Sequence, residues 1–201
     1  PYTPWDNLSD RLKKTNSTGF GIIHWTTHPL DLYFTSSAKQ VWQQTENESV
    51  DKTVNDFIKT RFGENETLSM YYSDWISNGP MFGRETSDHF VDLGPQRLGH
   101  EMESWAEMKN KAEKRLEILE QLPLLNENDY LEYQKGMEEF YISFFENQML
   151  FQEAYELTTN MEVEKAKQII ASANPDEAIQ KYTDAIKFIG FSRGEKALVF
   201  S

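Results

Sequence analysis

The sequence predicts a mainly α-helical chain in which one β/α unit is followed by an antiparallel helical bundle. Three observations predict it. Apolar residues recur at helical spacing over most of the 201 residues. One run, "FGIIHW" at residues 20–25, instead has the length and unbroken bulk of a strand buried on both faces, the kind found in parallel sheets. After His100 the composition turns to a helical regime, with apolar stripes separated by clear start and stop signals.

The elements follow in order. Residues 6–15 form a short helix, with Leu8 and Leu12 four apart and the polar "TNSTG" closing it. The strand at 20–25 comes next. Thr27, His28 and Pro29 then signal a helix start, because proline is tolerated in a first turn where its missing N–H costs nothing. Over residues 30–44 the stripe is Leu30, Phe34, Ala38, Val41 and Trp42. Residues 51–62 place Val54, Phe57, Ile58 and Phe62 on one face, with Gly63 as the C-terminal cap. A further helix spans 66–77 and is broken by Gly79-Pro80.

Residues 78–100 are rich in glycine, proline and polar side chains and read as a long ordered loop, a type that is usually functional or linking. Beyond it, Trp105, Met108, Ala112, Leu116 and Leu119 form a stripe that ends before Pro123. The longest helix covers 127–158, with Tyr130, Tyr133, Met137, Phe140, Phe144, Phe151 and Tyr155 as its core face. Helices at 161–173 and 175–189 supply partners, the second started by "ANPDEA" with Asn174 as cap. Charged runs such as "EMKNKAEKRLEILE" read as a solvated helix face. The organisation is therefore a β/α part at 1–65, a connecting helix and loop at 66–100, and a helical bundle at 101–201. A lone buried-type strand needs neighbours, and the chain ends on the apolar run 197–200, so we expect a piece of a larger protein.

Composition narrows the function. With 33 acidic against 20 basic residues the formal net charge is −13, which repels phosphate backbones and anionic lipid. Nucleic-acid and membrane partners are not expected. The absence of cysteine removes disulfides, thiol nucleophiles and thiolate metal sites. Neither a membrane-length apolar run nor a signal peptide is present. No phosphate loop, nucleophile elbow, metalloprotease helix or calcium loop is found, and no cofactor is expected.

The chemistry concentrates in "HWTTH". In parallel α/β folds ligands sit beyond the carboxyl ends of strands, which is where His24, Trp25 and His28 fall. An indole face stacks on the C–H face of a pyranose while imidazole and threonine hydroxyls meet its hydroxyls, so these residues suit a sugar. Trp25 serves equally well as a packing residue at the edge of the sheet. As a metal site the pair of histidines is incomplete, with only Asp31 near it in sequence. Asp74-Trp75 and the loop residues Arg84, Glu85, Asp88 and His89 are further candidates to line a site.

The stretch "GFGIIHWTTHPLDLYFTSSAKQVWQ" followed by "FIKTRFG" resembles the closing segment of large (β/α)8 glycoside hydrolases that carry a helical domain after the barrel. It is most similar to the polysaccharide α-glucuronidases of families 67 and 115, with the α-N-acetylglucosaminidases more distant. The resemblance implies hydrolysis of a glycosidic bond by two carboxyl groups, one acid and one base or nucleophile. No Asp or Glu lies at the strand end before Asp31, so it implies no catalytic role for any residue here; the carboxylates are expected on earlier barrel strands. It does imply a substrate-binding rim of His24, Trp25 and His28, a carbohydrate substrate of plant or other complex origin, and a secreted or periplasmic setting; Arg84 and His89 stay candidate loop contacts on the loop reading alone. The helical part would be structural or dimer-forming. The alternative is a non-catalytic helical module whose acidic surface meets a protein partner, with His24 and Trp25 in its core.

Overall fold

Four helix starts among the described residues are fixed by side-chain oxygens placed one residue ahead of the helix. Asn65 Oδ1 accepts from the Leu68 N–H at 2.9 Å, and Asn128 Oδ1 accepts from Tyr130 and Leu131 at 3.0 and 3.3 Å. Ser104 and Glu107 form a reciprocal capping box, Ser104 Oγ accepting from the Glu107 N–H and Glu107 Oε2 from the Ser104 N–H. Asn174 accepts from the Glu177 N–H, with Pro175 in the first turn. Gly63 ends its helix at φ +77°, a backbone region that costs glycine nothing.

The computed structural model describes residues 8–18, 31–43, 50–79, 96–97, 100–101, 103–123 and 128–189. Among these the chain is mainly helical, as expected. The elements are α1 (Leu8–Lys14), α2 (Asp31–Gln43), α3 (Val50–Phe62), α4 (Glu66–Asn78), β1 (Gln96–Arg97), β2 (His100–Glu101), α5 (Trp105–Glu120), α6 (Asp129–Thr159), α7 (Val163–Ser172) and α8 (Pro175–Ile186). β1 and β2 pair antiparallel, Gln96 opposite Glu101 and Arg97 opposite His100, so the end of the expected loop carries a short strand pair. The strand expected at 20–25, residues 80–95 of the loop and the apolar run 197–200 lie outside the described residues.

Each helix from α1 to α6 packs on the next in sequence, and α6 also receives α7 and α8. Two apolar cores result. The first gathers Leu32 of α2, Val54, Phe57 and Ile58 of α3, Leu68, Tyr71, Tyr72 and Ile76 of α4, Leu119 and Leu122 at the end of α5, and Leu131 at the start of α6. The second joins Met108 and Ala112 of α5 to Tyr133, Met137, Tyr141 and Phe145 of α6 and Tyr182, Ala185 and Ile186 of α8. Gly136 lets α8 approach closely, since a Cβ there would stand 2.6 Å from the Ala185 Cβ. Asn147 ties in the α7–α8 turn: its Oδ1 accepts from the Asn174 N–H at 2.7 Å and its Nδ2 donates to the Asn174 carbonyl at 3.3 Å.

Three expectations about helix faces are corrected. In α2 the stripe Phe34, Ala38 and Trp42 faces outward, with Trp42 85% exposed, while Leu32, Ser36, Ser37 and Gln40 are buried. The reason is α1. Gln40 Oε1 accepts from the Leu8 N–H at 2.9 Å, closing the open start of α1, and Ser9, Ser36 and Ser37 let the helices come close. In α6 the aromatic stripe does not remain inside to its end, for Tyr155 is exposed, and burial spreads to Leu131, Gln134, Glu138, Tyr141 and Phe145. A central helix with α5 on one side and α8 on another buries more than one stripe. The charged run of α5 is not wholly solvated either, because Arg115 is 1% exposed.

Candidate functional site

The residues predicted to contact substrate, His24, Trp25, His28, Arg84 and His89, all lie outside the described residues. Asp31, the carboxylate next in sequence to them, sits in the first turn of α2 with Oδ2 3.0 Å from Arg61 of α3. The Arg61 guanidinium in turn lies 4.9 Å over the Phe57 ring and 5.4 Å over that of Tyr130. Such an arrangement staples α2, α3 and α6 together through charge and ring quadrupole. Trp75 packs against the first core. Among the described residues no group of three or more His, Asp or Glu is placed to hold a metal ion.

Asp74 belongs to a cluster that the sequence did not single out. Arg115 projects from α5 into the space where α4, α5 and α6 meet. Its Nε donates to Glu138 Oε1 at 2.9 Å, and its Nη1 donates to the Asn78 carbonyl at 3.1 Å and faces Asp74 Oδ2 at 3.5 Å. Asn78 Nδ2 donates to Asp74 Oδ1 at 2.7 Å. The Tyr71 hydroxyl lies 3.0 Å from both Glu138 Oε1 and Gln134 Oε1, and its single proton serves one of them at a time. Glu138 Oε2 is buried and receives no hydrogen bond from any protein group.

Each contact has a structural source. Asp74 and Asn78 are one turn apart at the carboxyl end of α4, where free carbonyls make a cation favourable. Arg115 follows Ala112 and precedes Leu119 on the buried register of α5, and Gln134, Glu138 and Tyr141 share one face of α6. Burial drives the Glu138 carboxyl above its ordinary value, and the Arg115 charge only partly opposes this. Burial also works against the Arg115 charge, but Glu138, Tyr71 and Asp74 outweigh it and hold the guanidinium firmly protonated. Burial, reinforced by the Glu138 charge, pushes the phenols of Tyr71 and Tyr141 well up.

Glu138 is entirely buried and Arg115 nearly so, so no substrate reaches them. What the cluster can do is hold three helices in register and store or release a proton. The signal that locates it was present: Arg115 falls between Ala112 and Leu119 on an apolar stripe, and Glu138 falls four residues after Gln134 and three before Tyr141. A charge on the buried register of two adjacent helices is the pattern of an interior ion pair. Comparison with family models, with curated proteins and with solved structures returns no match to this chain.

Proposed function

We propose that this chain is the carboxy-terminal portion of a glycoside hydrolase of α-glucuronidase-like type, with the stretch at 19–34 supplying a sugar-binding rim and the helices forming a non-catalytic domain behind it. The reading rests on His24, Trp25 and His28, which precede α2 in sequence and are expected at a strand end, and on the helical part that follows. One structural observation supports the division of labour. Glu138, the only buried carboxylate among the described residues, is sealed off by Arg115 and Tyr71. An acid–base pair for glycoside cleavage needs two carboxyl groups that face a substrate, which Glu138 does not do; on the resemblance that pair belongs to other barrel strands.

The test uses the polypeptide encoded by the complete reading frame, assayed on uronic-acid-substituted plant oligosaccharides. Replacing Trp25 by Ala removes a stacking face worth about 1–3 kcal/mol, so KM should rise roughly 5- to 150-fold. Unchanged kinetic constants would remove the rim from the site, and an upstream sequence without barrel strands ending in Asp or Glu would sink the enzyme reading.

A second reading, a helical interaction or dimerisation module, is favoured by a different observation. Tyr155, Met161, Val163 and Ile170 are all exposed around the α6–α7 turn and along α7. Sedimentation equilibrium of the 201-residue chain decides it. A monomer at high micromolar concentration argues against self-association through this end.

A further inference from the structure

We propose that Glu138 Oε2 is a proton-binding site built into the junction of α4, α5 and α6, and that its occupancy sets how firmly α4 is held to the bundle. The geometry carries this in three steps. First, one guanidinium serves two carboxylates: Arg115 reaches Glu138 at 2.9 Å and Asp74 at 3.5 Å, leaving the ionised cluster with one negative charge in excess. Second, the hydrogen bonds are one-sided. Arg115 Nε and the Tyr71 hydroxyl both approach Oε1, and among the described residues none hydrogen-bonds to Oε2. Third, the two carboxylates differ in access to water, for the Asp74 side chain is 34% exposed and that of Glu138 is 0% exposed.

Water therefore solvates the charge on Asp74 and not the charge on Glu138. A proton on Oε2 removes the excess charge while leaving the Arg115–Asp74 pair and the Arg115 bond to Oε1 in place. Among the described residues the groups facing Glu138 are few. From α4 they are Tyr71 and Asp74, from α5 Arg115, and along α6 itself Gln134 and Tyr141, the last in electrostatic contact with Tyr182 of α8. Of these only Arg115 is a cation, and it is already shared. The upward displacement of the Glu138 carboxyl by burial agrees with the geometry.

The sign follows from linkage. A carboxyl that binds its proton more tightly in the fold than in the unfolded chain contributes stability that is complete below the ordinary glutamate value and is lost as pH rises through the folded value. Other carboxylates act in the opposite sense. Asp56, hydrogen-bonded by Lys39, and Glu177, hydrogen-bonded by Lys181, are lowered and lose their contribution as pH falls. A comparison with Glu138→Gln, a neutral side chain of the same shape, isolates the one group.

Two measurements on the 201-residue chain test the proposal. The side-chain carboxyl carbon of Glu138, followed by NMR, should titrate with a midpoint above that of an exposed glutamate. Hydrogen-exchange protection factors of α4, taken relative to those of Glu138→Gln at the same pH, should fall with rising pH, about tenfold for each unit by which that midpoint is raised. A midpoint at or below the ordinary value overturns the proton site, because the Arg115 pair would then dominate. A raised midpoint with the same pH dependence of α4 protection in the unaltered chain and in Glu138→Gln overturns the coupling. If Glu138→Gln fails to fold, Glu138→Leu serves as the uncharged reference.

Discussion

The core around α4 and the core around α6 are held by different means. The second is aromatic: Trp105 stacks on Phe145 at 6.0 Å, Phe145 on Tyr141 at 6.2 Å, and Phe140 meets Tyr182 at 5.1 Å. A few large rings there bury most of the apolar surface, and each is hard to replace. The first core is mixed, with aliphatic side chains of α3 and α4 at its centre. Its outer boundary, the α1–α2 contact, is a seam of serines and one glutamine that bury little apolar area. What the difference teaches is that ring mass holds the bundle, whereas the amino-terminal helices depend on hydrogen bonds that complete each other's ends. Arg115 stands between the two, capping α4 while belonging to α5.

The largest effects should come from the bundle and its junction. Phe145→Ala should destabilise by about 3–5 kcal/mol in urea denaturation, because a fully buried ring leaves a cavity that its stacked neighbours cannot close. A loss below about 1 kcal/mol would mean that the ring stack is not what holds α5 to α6. Arg115→Met should cost a comparable amount, about 3–5 kcal/mol, since it strands Glu138 without its cation. Adding Glu138→Leu to that variant should recover most of the loss, whereas simple additivity of the two substitutions would show that the pair does not act as a unit.

These two regions were also unequally legible in the sequence. Among the described residues the order of the helices follows the apolar periodicity, and α8 starts at the expected cap Asn174; Asn65, Ser104 and Asn128 cap α4, α5 and α6 by the same local chemistry. Which face of a helix is buried is not local. The spacing of Phe34, Ala38 and Trp42 gives a convincing stripe, yet α2 turns Ser36, Ser37 and Gln40 inward because α1 supplies a backbone donor that needs an acceptor. The same holds for Arg115 and Glu138. Their place on the buried register is a local hint, but that they pair with each other is visible only when α5 and α6 are set side by side. The candidate rim is legible only as chemistry, for His24, Trp25 and His28 are named by residue type and position and lie outside the described residues.

A smaller effect probes the polar seam. Gln40→Leu removes the acceptor of the Leu8 N–H and should cost about 0.5–2 kcal/mol, the scale of a lost helix cap. More telling than the size is the place: amide exchange should accelerate across α1 and leave α5, α6 and α8 unchanged. Uniform acceleration over the whole chain would show that the two regions unfold together and that the contrast between them carries no energetic meaning.

The smallest expected effect has the opposite sign. Met161, in the turn between α6 and α7, has φ +65° and is 85% exposed. A side chain with a Cβ is strained in that conformation by about 1–2 kcal/mol, and an exposed methionine returns little by packing. Met161→Gly relieves the strain but gains backbone freedom in the unfolded chain, so a net stabilisation of about 0.5 kcal/mol is expected from thermal or urea unfolding. The same substitution removes one of the apolar groups exposed at this end. If the chain self-associates through Tyr155, Met161, Val163 and Ile170, the variant should be more stable as a monomer and weaker as a dimer, a split that packing within one chain does not produce.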